Sequence, residues 1–221
     1  MLNDMHGFIL NVLLSYSILI PAAVGIVRFT SITQDFYPFI LLIWLGLVNE
    51  TVSIILAYTI KSNVVNSNIY VLLEYFLILV QFYKWNGPRN SRLYYFFALT
   101  GLSVWIADNV VINTVTENNS IFRIFYSSVI TFFSIALINK VFVRERNSLI
   151  KNAMFLICST FFIYYSCKAF VEVFNAFHLG LSKQFNRYVF MILYLANSFS
   201  NIIYAIAILC IPRKQKFTQP F

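Results

Sequence analysis

Residues 150–178 read IKNAMFLICSTFFIYYSCKAFVEVFNAFH, and the only charged side chains away from the ends of this run are Lys168 and Glu172. A helix crosses the hydrocarbon core of a bilayer with about 20 apolar residues, and this run exceeds that. It has no period-two alternation, so it does not read as a strand of a membrane barrel. Six further apolar runs share the chain, at 8–28, 36–60, 69–85, 93–115, 121–143 and 188–211. No connection between them is longer than nine residues, which leaves no room for an extramembrane domain in residues 1–221. Composition agrees: 60% of the residues are apolar and 11% charged, against about 25% charged in a soluble domain. The mean hydropathy is +0.75. A soluble enzyme, a nucleic-acid-binding domain and a secreted disulfide scaffold are excluded. Backbone polar groups in lipid must pair within their own segment, so the runs are helices. The expected fold is a single all-α bundle of seven transmembrane helices.

The formal charge of +8 is a topology signal rather than a binding surface. With seven spans, eleven basic residues fall on one side: Arg28, Lys84, Arg89, Arg92, Lys140, Arg144, Arg146, Lys151, Arg213, Lys214 and Lys216. Lys61, Arg123, Lys183 and Arg187 fall on the other. Lys and Arg favour the cytoplasmic side of short loops, which predicts the N-terminus outside and the C-terminus inside. The first run lacks a basic leader and a good cleavage site, so it reads as a retained helix rather than a signal peptide. Pro38 falls in the first turn of the second helix, where its missing N–H costs nothing. Pro21 lies inside the first and predicts a kink, and Pro212 ends the last.

Four acids lie within spans: Glu50, Glu74, Asp108 and Glu172, accompanied by Lys168. A charge at the centre of a spanning helix costs about 2.5–3.5 kcal/mol, so such residues need a partner or water. In the alternating topology all five fall in the outer half of the membrane, from four different helices. Polar neighbours accompany them at helical spacing: Asn49 beside Glu50, Asn109 and Asn113 after Asp108, Tyr164, Lys168, Glu172 and Asn175 on one face, and Tyr194, Asn197, Asn201 and Tyr204 on another. Tyr70, Glu74 and Gln81 share a face of the third helix. The pattern predicts an outward polar cavity formed by Glu50, Glu74, Asp108, Lys168, Glu172, Asn49, Asn109, Asn197 and Asn201. Four acids against one lysine require that some are protonated, that Arg123 reaches in, or that a cation binds. Lys168 and Glu172, one turn apart, can also form a purely structural pair. Ser15, Ser127, Thr131 and Ser134 read as hydrogen-bonding glue between helices.

Known membrane chemistries do not fit. The last span lacks the lysine of a retinal pigment. His6 and His178 are too few for a zinc hydrolase site or a Ser–His–Asp triad. An aspartyl-protease dyad would need a Gly-rich context that is missing. Cys158, Cys167 and Cys210 show no metal spacing. No catalytic residue, metal or cofactor is expected. The inner half of the spans has no ionisable residue, and Gln81 is its most evident polar side chain.

Asn49-Glu50, Asn66-x-Asn68-x-Tyr70-x3-Glu74-Tyr75, Ile163-Tyr164-Tyr165-Ser166 and Asn197-x3-Asn201-x2-Tyr204 before a basic tail together resemble a family of small, uncharacterised seven-helix integral membrane proteins common in Bacteroidota. The likeness covers about residues 45–211. Where that family has Pro-x-Phe-Trp before the sixth helix, this chain has Ala153-Met154-Phe155-Leu156 and keeps only the Phe. The resemblance implies helical topology and a sensory role, since the relatives resemble membrane modules of sensor histidine kinases. It implies no catalytic residue.

The expected function is that of a sensor or receptor-like subunit of the cell (inner) membrane. It would bind a small ligand, cation or proton in the outer cavity and signal by helix movement to a cytoplasmic or membrane partner. The basic segment from Lys140 to Lys151 and the tail from Arg213 to Phe221 are the contact candidates, for such a partner or for anionic lipid. The alternatives are a small proton- or cation-coupled transporter and a membrane scaffold or assembly factor.

Overall fold

The computed structural model describes residues 12–87, 91–144, 148–177 and 183–214. Seven helical segments follow one another: α1 (Val12–Arg28), α2 (Tyr37–Thr59), α3 (Val64–Asn86), α4 (Ser91–Ile106, continued by a π-helical turn Ala107–Ile112), α5 (Ile121–Arg144), α6 (Ala153–Ala176) and α7 (Lys183–Cys210). Six of them, α2 to α7, are long and apolar enough to cross a membrane. The chain is a multi-pass helical bundle.

The first helix is the exception to the expected set. Its described part, Val12–Arg28, is shorter than the other six, about 25 Å at 1.5 Å per residue against the roughly 30 Å of a hydrocarbon core. Residues 8–11 of the expected span lie outside the described residues, as do His6 and His178. Where a kink is expected at Pro21, the observed departure from α-helix is a 3₁₀ turn at Tyr16–Ile18, just before the α-helical part Leu19–Arg28. Pro21 offers no N–H to the carbonyl four residues back, and its ring crowds that carbonyl. Ser17 Oγ donates to the Leu14 carbonyl at 2.6 Å in the same turn.

Other boundaries moved because buried partners make polar turns helical. The third span begins at Val64 rather than 69, since Asn68 is buried and its amide donates to the carbonyls of Val115 (2.9 Å) and Glu117 (2.8 Å). The sixth begins at Ala153 rather than 150. Leu149–Lys151 forms a separate 3₁₀ turn, and Asn152 caps α6 by accepting from the Phe155 N–H at 3.0 Å. The N-terminus of α2 is completed from another helix: Gln81 of α3 accepts from the Phe39 N–H (2.8 Å) and donates to the Asp35 carbonyl (2.7 Å). The polar side chain noted in the inner half is thus a cap, not part of a water path.

Arg28, Lys140, Arg213 and Lys214 lie at one end of the bundle, around the end of α7, the start of α2 and the end of α3. Arg28 donates to the Ile208 (2.8 Å), Leu209 and Ile211 (3.2 Å) carbonyls, closing the C-terminus of α7. Lys214 donates to the Tyr37 hydroxyl, and Lys140 to the Trp85 carbonyl at 3.0 Å. Ile32 and Arg213 pair as an antiparallel bridge that ties the α1–α2 connection to the chain after Pro212.

Between this basic end and the polar half lies an aromatic layer. Ring centroids step from Phe161 to Phe82 (5.9 Å), from Phe82 to Trp85 (6.2 Å) and from Trp85 to Phe36 (5.5 Å). Phe39 packs on Phe161 at 6.3 Å and on Tyr204 at 5.3 Å. Packing is closest between α5 and α6. The hydroxyls of Ser127, Thr131 and Ser134 on α5 are buried without a hydrogen-bond acceptor, so they are not the interhelical glue expected of them.

Candidate functional site

Glu74 sits near the middle of α3 with its carboxylate buried. One turn earlier on the same face, the Tyr70 hydroxyl donates to Oε1 at 3.0 Å. Tyr126 of α5 donates to Oε2 at 2.8 Å. Lys168 of α6 completes the group, with Nζ 3.3 Å from the same oxygen. The ammonium lies over the rings of Tyr126 (5.0 Å), Tyr164 (5.6 Å) and Tyr165 (5.7 Å). A buried charge persists only when its partner and remaining hydrogen-bonding sites are in place, and this group supplies both for Glu74.

Next to it is a cavity of about 90 Å³, lined from α1, α2, α3, α6 and α7. Its polar wall consists of Glu50, Glu74, Tyr70, Tyr164, Tyr165, Asn197, Ser200, Asn201 and Tyr204, and Phe161 of the aromatic layer closes one side. Glu50 has Ser15 of α1 beside it. No described cation lies within ion-pair distance of its carboxylate. At roughly 30 Å³ per water the space suits a few waters, or a monatomic ion that exchanges most of its hydration shell for the polar wall. Pockets for small molecules run to about 300–1,000 Å³, several times larger.

A second polar group stands closer to the end of the bundle opposite the basic one. Arg123, near the start of α5, lies 3.6 Å from Glu172 Oε1 and donates to Ser67 Oγ (2.9 Å) and Asn68 Oδ1 (3.0 Å). Glu172 Oε2 accepts from Ser120 (2.8 Å) and Asn175 (3.3 Å). Asp108, in the π-helical turn of α4, accepts from the Phe122 N–H at 2.8 Å and from Asn113 at 3.0 Å. It therefore caps α5 and meets the positive end of that helix. Asn109 accepts from Asn119 at 2.9 Å and donates to the Trp105 carbonyl at 3.0 Å.

The nine residues expected in one cavity are thus divided. Glu50, Glu74, Asn197 and Asn201 line it, and Lys168 serves Glu74 from its edge. Asn201 also donates to Ser17 Oγ at 2.8 Å, joining α7 to α1. Asn49 accepts from Asn66 at 2.8 Å in a link between α2 and α3. Asp108, Asn109 and Glu172 belong to the second group. The Lys168–Glu172 pair allowed by spacing is not the one formed, since each prefers a residue on another helix. Arg123 does reach in. Tyr126 and Ser120 were missed by sequence reasoning, although Tyr126 lies three residues after Arg123 on α5 and Ser120 immediately precedes that helix.

The charge account is now specific. Glu74 has Lys168, Glu172 has Arg123, and Asp108 has a helix N-terminus. Glu50 faces a water-sized space with Ser15 as its hydrogen-bond partner and no described cation within ion-pair distance. Comparison with models of protein families, with curated proteins and with solved structures finds no match to this chain.

Proposed function

We propose that this multi-pass membrane protein is a sensor or receptor-like subunit that takes up a proton or a monatomic cation at Glu50. One observation carries the reading: Glu50 borders the small polar cavity with no described cation within ion-pair distance, Lys168 acting on it only from farther off. A carboxylate within a membrane span that has no ion-pair partner is costly, so a half-buried Glu50 calls for a proton, structured water or a cation beside the Ser15 hydrogen bond. The cavity volume selects these over a metabolite. Occupancy would be read by five helices at once, because all five contribute to the wall. The expected resemblance to sensor modules and the short connections agree with a signal passed by helix movement to a partner at the basic end, which the positive-inside rule assigns to the cytoplasm.

A transporter using the same acids needs a second opening. The layer from Phe161 through Phe82 to Trp85 fills that direction with fully packed rings, which favours a binding role. The deciding experiment measures thermal stability of the purified protein in detergent across pH and across Na⁺, K⁺, Mg²⁺ and Ca²⁺, for the wild type, Glu50→Gln and Asp108→Asn. The expected result is a proton- or cation-linked stabilisation that Glu50→Gln removes and Asp108→Asn keeps. Flux into proteoliposomes that depends on Glu50 would establish the transporter instead. A flat response from well-folded protein would leave the scaffold role.

A further inference from the structure

Glu50 shares its cavity with polar atoms that the protein leaves unpartnered. Tyr165 of α6 and Tyr204 of α7 are buried, at 2% and 7% exposure, and both line the space. No hydrogen bond is described for either hydroxyl. Neither oxygen is enclosed by protein atoms as the unpartnered hydroxyls of α5 are, so both open onto the cavity. Asn201, 2% exposed, donates through Nδ2 to Ser17 Oγ at 2.8 Å, and its Oδ1 accepts from no described donor. Asn197 and Tyr164 also line the space without a described hydrogen bond.

A carboxylate, phenol oxygens and amides form a hard donor set of the kind that suits cations without d-electron preferences. Among the described residues no three His, Cys, Asp or Glu side chains come together, as a transition-metal site would need. Charge sets the valence. Glu74 has Lys168 at 3.3 Å, which leaves one negative charge at the cavity, on Glu50. A monovalent cation balances it. A divalent cation would leave an uncompensated positive charge within the spans, which is costly. Size sets the hydration. The volume of about 90 Å³ equals roughly three waters, too little for a Mg²⁺ that keeps several of its own. The titratable groups around Glu50 are Tyr70 and Glu74 of α3, Tyr164 and Lys168 of α6 and Tyr194 of α7.

We propose that the cavity is a site for a largely dehydrated alkali cation, held by the Glu50 carboxylate with the Tyr165 and Tyr204 hydroxyls and the Asn201 carbonyl oxygen in place of water. Na⁺ and K⁺ are thereby singled out among the ligands open to this cavity, a choice that rests on Glu50 as the binding acid. Protein oxygens that replace an ion's hydration shell are a general means of holding alkali cations. The bound ion would join α2, through Glu50, to α6, through Tyr165, and to α7, through Asn201 and Tyr204. The Asn201–Ser17 hydrogen bond extends that junction to α1. An ion held by groups from three helices binds the folded chain alone and so stabilises it.

The test is the melting temperature of the full chain in neutral detergent, with NaCl, KCl, MgCl₂ or CaCl₂ replacing choline chloride at constant ionic strength. The expected result is saturable stabilisation by NaCl or KCl, and the two arms say which ion is preferred. Raising the pH should lower the half-saturating concentration, because protons compete for the same carboxylate. Glu50→Gln should abolish the response. Tyr204→Phe should raise the half-saturating concentration about tenfold, the worth of one interaction with a charged group. Its ring packs on Phe39 and Phe161 and its hydroxyl has no described protein partner, so that variant keeps its fold. Stabilisation by the divalent salts at lower concentration than by the alkali salts overturns the proposal, as does an alkali response unchanged in Tyr204→Phe. A pH-linked stabilisation that Glu50→Gln removes, without any alkali response, overturns the alkali site and leaves Glu50 as a proton site. Loss of both responses in well-folded protein overturns the Glu50 reading as well.

Discussion

Replacing Lys168 with Met removes the ammonium 3.3 Å from Glu74 and leaves that carboxylate buried with only the hydroxyls of Tyr70 and Tyr126. Stripping one partner from a buried ion pair costs about 3–5 kcal/mol, because the other charge stays desolvated. Two tyrosine donors still hold Glu74, which puts the expected loss near the lower end, about 3 kcal/mol. Glu74→Gln should cost less. The freed ammonium keeps three aromatic faces, at 5.0, 5.6 and 5.7 Å, each a favourable contact of about 0.5–2 kcal/mol. The double variant Lys168→Met with Glu74→Gln buries no charge here, and its glutamine can accept from one tyrosine hydroxyl through its oxygen and donate to the other through its amide nitrogen. Its loss should therefore fall about 2–3 kcal/mol below the sum of the single losses. Equilibrium unfolding in mixed detergent–SDS micelles measures all four proteins. Single losses that add to within about 0.5 kcal/mol would refute the pairing of Lys168 with Glu74. So would a Lys168→Met loss under about 1 kcal/mol, by showing that Glu74 does not need the lysine.

Three further outcomes follow from the geometry. Gly101→Ala should lower stability by about 1–3 kcal/mol in the same unfolding assay, since a Cβ there would come within 2.2 Å of the Tyr75 ring, which is itself anchored to the Phe97 carbonyl at 2.6 Å. Asp108→Ala should cost about 0.5–2 kcal/mol as a lost helix cap, while Asp108→Asn, which can still accept from Phe122 N–H, should cost little and leave the proton or cation response unchanged; a lost response would move Asp108 into the functional group. Gln81→Leu should strip the Phe39 N–H and the Asp35 carbonyl of their partner, at about 1–3 kcal/mol for each buried group, and hydrogen exchange should rise first at the start of α2.

Periodicity and composition alone determined the apolar, membrane-spanning character of this chain, its helical content and the order of its elements. Those properties are local: twenty apolar residues in a row need lipid and an internally paired backbone whatever surrounds them. The same reasoning expected the acids together in one half of the bundle, whereas Glu74 stands at the middle of α3, and it named Arg123 as a candidate counter-ion. It could not say which acid each cation serves. A one-turn spacing puts Glu172 within reach of Lys168, yet Lys168 goes to Glu74 of α3 and Glu172 goes to Arg123 of α5. That choice depends on how far each helix is rotated about its axis, and rotation is decided by side-chain packing between helices rather than by any one helix. The 3₁₀ turn before α6, the polar first turn of α3 and the π-helical turn that aims Asp108 at the start of α5 have the same origin. Each departs from local hydropathy because a partner on another segment satisfies the backbone or side chain there. Tertiary packing likewise pairs Glu74, Glu172 and Asp108 and sets Glu50 in the wall of the small polar cavity with no described cation within ion-pair distance, which makes Glu50 the candidate for binding.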